Sequence, residues 1–167
     1  MFDDIRPFEP HELPEVYERL LADRQFLSVL PYVLPEVPVE QVAAMMHGCK
    51  TNLDFQKTFC YGFLVRLLAK VSTGCDMDLS AVDIQRRHTF VSNHRDIVLD
   101  SALLDKLLID AHSPTTCEIA IGDNLLIYPW IKTLVKLNKA FTVRRGLSPR
   151  ELLESSQLMS RYMHHAI

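Results

Sequence analysis

Beyond Gly74 the chain alternates short β-favouring runs with helical patterns, and this alternation restricts its fold more than any other feature. Residues 88–92 (HTFVS), 115–121 (TTCEIAI) and 140–143 (AFTV) read as strands. Between the first two, Leu99, Leu103, Leu107 and Ala111, with Leu104 and Leu108 beside them, recur at helical spacing. Pro129 suits the first turn of a helix running to about residue 138. Ser148-Pro149-Arg150-Glu151 is a capping box that opens a helix reaching about residue 165. Strands joined through helices imply crossover connections, so the class is α/β with a mostly parallel sheet and flanking helices. Three strands are few for a sheet covered on both faces. The sheet is therefore expected to be incomplete, and the sequence to be a fragment of a longer protein.

The first part of the chain is punctuated differently. Six of the nine prolines fall within the first 38 residues. A helix is expected over 13–30, with Pro14 in its first turn and Pro31 ending it, followed by a stiff connector through Pro35 and Pro38. Short and longer helices are expected over 39–48 and 52–71. In the second, Phe55, Phe59, Phe63, Leu64, Leu67 and Leu68 form an apolar stripe that reads as core, with an interfacial membrane face as the alternative. The expected division is a helical region over 1–74 and an α/β domain over 75–167.

Composition excludes several classes. Hydrophobic residues make up 48% and charged residues 23% of the chain, too apolar for a disordered protein. The longest apolar stretch, 59–65, falls far short of the roughly 18 residues of a membrane span. The start of the chain lacks the pattern of a secretory signal. Cys49, Cys60, Cys75 and Cys117 form no CxxC pair, which argues against a zinc finger and for reduced thiols in the cytoplasm. No Gly-rich phosphate loop, dinucleotide fingerprint or nucleophile elbow occurs.

The net charge of −3 is unevenly spread. Residues 1–40 hold nine acids and three bases, whereas residues 130–150 hold six bases and no acid. A basic block in an acidic chain suits an anionic partner such as a phosphate or a membrane headgroup. For Lys132, Lys136 and Lys139 a solvated helix face serves equally well. Without interleaved aromatics, and with a negative total, the block does not suit nucleic acid.

In a parallel sheet, ligands bind beyond the carboxyl ends of the strands. Those ends are Asn93-His94-Arg95-Asp96, Gly122-Asp123-Asn124 and Arg144-Arg145-Gly146. A histidine flanked by acids, with two arginines at a nearby strand end, suits a base acting on an anionic substrate. On a continuous helix residue 100 would sit about 240° around from residue 94. Asp100 therefore approaches His94 only if the chain breaks between them, as a strand-turn-helix does. An aspartate holding one imidazole nitrogen leaves the other to take a proton from a hydroxyl. Asp96 competes for that role, or caps the following helix.

The whole segment, FVSNHRDIVLDSALL, resembles the first signature block, NHxxxxD, of the glycerolipid acyltransferase superfamily, which includes 1-acyl-glycerol-3-phosphate and glycerol-3-phosphate acyltransferases. Residues 139–145 (KAFTVRR) look like the family's second block, an apolar strand ending in arginine. The resemblance covers about 75–165, and the N-terminal helices are similar to the lead-in many members carry. Five residues separate histidine from aspartate where the usual pattern has four, and no Glu-Gly third block is present.

The resemblance implies fatty acyl transfer from an acyl carrier protein or coenzyme A thioester to a hydroxyl of a glycerol-phosphate or lysophospholipid-type acceptor. His94 would be the general base and Asp100 its partner. Arg144 and Arg145 would bind the acceptor's phosphate, with Arg95 near it. It implies neither metal nor cofactor, and a place at the membrane surface, on the inner face of the cytoplasmic membrane. The alternative is a non-catalytic anion- or lipid-binding module, using Arg144, Arg145 and the lysines, or an inactive fragment.

Overall fold

Leu13 to Val71 forms a helical cluster whose breaks are set by capping chemistry. Helix α1 spans Leu13–Leu21, α2 Arg24–Val33 and α3 Val39–Gly48. A computed structural model describes residues 2–93, 95–96 and 99–167. The single helix expected over 13–30 is two. The Asp23 carboxylate accepts from the amides of Gln25 (2.8 Å) and Phe26 (3.0 Å), which starts a new helix there. Pro31, expected to end the helix, lies inside α2. Its ring removes one donor, and the helix runs on to Val33, beyond which the Leu34 amide donates to the Leu30 carbonyl at 2.8 Å.

The run expected as one helix over 52–71 has three parts: α4 (Asn52–Phe55), a π-helical segment (Gln56–Tyr61) and α5 (Gly62–Val71). Thr51 and Asp54 form a capping box at its start. The wide turn inserts one residue, so the apolar stripe slips in phase. Phe55 and Leu64 are buried as expected, whereas Phe63 is 38% exposed.

Helix α6 spans Leu99–Asp110, strand β1 Ile119–Gly122, helix α7 Pro129–Leu137, strand β2 Ala140–Val143 and helix α8 Pro149–Ala166. Strands β1 and β2 pair in parallel, with Ile119 opposite Ala140 and Gly122 opposite Val143, and α7 makes the crossover. The protein is thus mixed α/β with a small parallel sheet. The expected strand over 88–92 is not formed, and its residues are exposed. A strand exists only through bonds to a neighbour, so β propensity alone does not make one. The expected strand over 115–121 begins only at Ile119, because Thr116 is drawn into a buried side-chain cluster.

The main core joins α1, α2 and α3 to Phe55 and to Leu137 of α7, which is fully buried. Burial of a side chain of this size stabilises by about 2 kcal/mol. A second cluster joins Ile5, Phe141 of β2 and Tyr162 of α8, with the two rings 5.2 Å apart. The Thr142 amide donates to the Ile5 carbonyl at 2.9 Å, tying the chain's start to β2. On α6 the buried residues are Leu108, which belongs to the expected apolar stripe, and Asp105, which does not. Among the described residues no helix is long and apolar enough to cross a membrane.

Candidate functional site

His94, the expected base, lies outside the described residues. The chain on either side of it is exposed through Asn93 and again at Arg95 and Asp96. Two carboxylates close the turn that leads from there into α6. The Asp100 Oδ2 accepts from the amides of Arg95 (2.7 Å) and Asp96 (3.0 Å). The Asp96 Oδ1 accepts from the amide of Leu99 at 2.7 Å. Asp96 thus binds the amide of the first residue of α6, and Asp100 reaches back to the two amides at 95 and 96, both in the manner of capping carboxylates. Amides at 95 and 96 are available to Asp100 only because they precede α6.

A second group gathers at the carboxyl ends of β1 and β2. The Asp123 Oδ1 accepts from the Arg145 amide at 2.9 Å and ties the two strand ends together. The Arg145 side chain crosses Gly122, where an added Cβ would stand 3.3 Å from the Arg145 Nε and 2.5 Å from the Asn124 Oδ1. A side chain at 122 would therefore disturb both neighbours. Arg144 is half exposed and lies 3.6 Å from the Asp4 carboxylate, itself in open solvent, a pair of little energetic weight. Arg144 and Arg145 at the end of β2 are thus tied to Asp4 and Asp123.

The basic block does not act as one face. Arg150 pairs with Glu154 on α8, Lys136 is buried, and Lys139 folds back on the sheet. Lys139 adopts a left-handed conformation (φ 60°) in the tight turn from α7 to β2, a place where glycine or asparagine is usual. From there its ammonium donates to the Thr116 carbonyl (2.7 Å) and the Thr115 hydroxyl (2.8 Å).

Sequence reasoning missed a buried polar cluster in which the π-helical segment meets α6 and the residues before β1. The Gln56 amide donates to Asp105 (3.2 Å) and to the Asn138 carbonyl (3.3 Å), and its oxygen accepts from the Thr116 hydroxyl at 2.5 Å. Asp105 also accepts from the Cys117 amide at 2.9 Å. Burial pushes the Asp105 carboxyl up to about 7, against the pull of the Cys117 amide and the Lys139 ammonium. Burial likewise pushes the Cys60 and Cys117 thiols up to about 12, so both are poor nucleophiles. The only local signal was a glutamine one place from the apolar stripe. Among the described residues no cluster of three or more His, Cys, Asp or Glu side chains suits a metal ion.

No protein-family model, curated protein or solved structure matches this chain.

Proposed function

We propose that this chain transfers a fatty acyl group from an acyl carrier protein or coenzyme A thioester to a hydroxyl of a glycerol-phosphate or lysophospholipid-type acceptor. The observation that carries the reading is the Asp100 carboxylate reaching back to the amides of Arg95 and Asp96, immediately after His94 in the SNHRD segment. Asp100 is taken as the acid partner of His94, with Asp96 accepting from the Leu99 amide.

The chemistry needs one proton carrier. The His94 imidazole takes the acceptor's hydroxyl proton as the oxygen attacks the thioester carbonyl carbon. The tetrahedral intermediate collapses, the carbon–sulfur bond breaks, and the imidazolium returns its proton to the thiolate. Asp100 stabilises the imidazolium through its charge. Arg144 and Arg145, at the end of β2, supply donors of the fork shape that suits the acceptor's phosphate.

The test is acyl transfer from both thioester donors to glycerol-3-phosphate, lysophosphatidate and amino-acid acceptors. The wild-type chain is expected to acylate a phosphate-bearing acceptor. His94→Ala is expected to lower the rate by about 10² to 10⁴. Equal rates for the two proteins, or no transfer by wild type to any acceptor, would overturn the reading.

A further inference from the structure

We infer that the groove between α1 and α7 is a binding site for a phosphate group carried on an apolar or planar body. The groove encloses about 390 Å³, within the range of small-molecule sites. None of Arg95, Asp100, Arg144 or Arg145 lines it.

Three cations from two helices meet there: Arg19 on α1, and Lys132 and Lys136 one turn apart on α7. Among the described residues none of the three takes part in an ion pair. The one carboxylate in the lining, Asp23, is engaged in capping α2. Lys136 is the telling member, since only 7% of it is exposed. Its ammonium donates to the Asp3 carbonyl at a long 3.3 Å and stands 5.2 Å from the centre of the Phe8 ring. A buried ammonium is costly unless paired, and here repulsion from Lys132 and Arg6 outweighs the attraction of the more weakly acting Glu12 and Asp4. Burial first, and then those cations, pull the Lys136 ammonium below its ordinary value. An anion in the groove would offset both effects.

The rest of the lining selects the body that carries the anion. Phe8 and Trp130 form apolar walls, with Trp130 held against Phe26 at 6.2 Å. Tyr128, the residue capping α7, offers no side-chain acceptor to the helix amides, so the positive end of the helix adds to the cations. Cations beside aromatic walls, in a space larger than a phosphate ion, suit a phosphomonoester. That ester is either a soluble small molecule or a lipid headgroup at a bilayer surface.

Trp130 is the chain's only tryptophan, so its fluorescence reports on this groove directly. The full chain is titrated at constant ionic strength with inorganic phosphate, with phenyl phosphate, and with phosphatidylcholine vesicles with or without phosphatidate. A saturable change is expected, at lower concentration for phenyl phosphate than for inorganic phosphate. Arg19→Glu and Lys132→Glu both replace exposed side chains and leave the core intact, and each is expected to weaken binding about tenfold. Saturation by phenyl phosphate assigns the site to a soluble ester, and saturation by phosphatidate vesicles alone assigns it to a headgroup. His94→Ala is expected to bind as wild type does, which separates this inference from the proposed activity. Linear responses in every arm, equal affinity for the two soluble phosphates, or unchanged midpoints in both charge-reversed variants would overturn it.

Discussion

Two regions of this protein behave in opposite ways. In the helical cluster, Tyr17 and Leu13 are 1% exposed and meet Val42, Met46 and Leu137 in one core. In the segment that leads to His94, residues 85–93 are all exposed, and Val91 is 93% so. The difference lies in where backbone bonds are made. A helix satisfies its own amides, and an amphipathic face then finds a partner. A strand satisfies nothing until a second strand lies beside it, and residues 88–92 are bonded into no sheet. Sites that move with their ligands are drawn from such weakly packed chain.

The largest expected effect falls in the packed region. Leu137→Ala leaves a cavity where α7 enters the helical core and should lower stability by about 2–5 kcal/mol in urea unfolding. A loss below 1 kcal/mol would mean that the two parts of the chain do not share that core.

A smaller, pH-dependent effect is expected at the cluster that joins the regions. The Asp105 carboxyl, up to about 7 in the folded chain, holds a proton that the unfolded chain releases near its ordinary 3.8. The folded state then binds more protons between those values, so stability falls as pH rises from about 4 to about 7 and is level above that. The integrated change is on the order of a few kcal/mol. Asp105→Asn should flatten this slope in thermal unfolding measured across the range. An unchanged slope would show that another group is responsible.

The smallest effect belongs to the exposed segment. Val91→Ser should change stability by less than about 0.5 kcal/mol. Limited proteolysis of the wild type should cut between residues 72 and 93 before it cuts α1 to α3. A cost above 1 kcal/mol, or protection of that segment, would mean that it is packed in solution.

Elements whose ends carry their own chemistry were legible. The helix over 39–48 matches α3, the strand over 140–143 matches β2, and the capping box at Ser148 opens α8, where the Ser148 amide donates to Glu151 at 2.9 Å. The break at Asp23 was legible in principle, since an aspartate two residues before a glutamine and three before an apolar residue is an ordinary cap. The π turn was not, because nothing within it distinguishes Gln56–Tyr61 from α-helix. At the proposed acyl-transfer residues the chain break between 94 and 100 was inferred from helix geometry. The division of labour between Asp96 and Asp100 needed the bonds themselves.

The sequence alone determined where most helices begin, which runs favour extended backbone, and which residue types stand at the strand ends. These depend on contacts a few residues apart, such as a cap, a proline or a spacing on one helix. The tertiary structure decided which polar groups are buried and which cations converge. Gln56 meets partners 49, 60 and 82 residues away, and Lys136 lies against the chain's first residues. No local rule anticipates these meetings, because burial depends on how separate elements pack. Packing turned a glutamine, an aspartate and a lysine into the groups that join the fold.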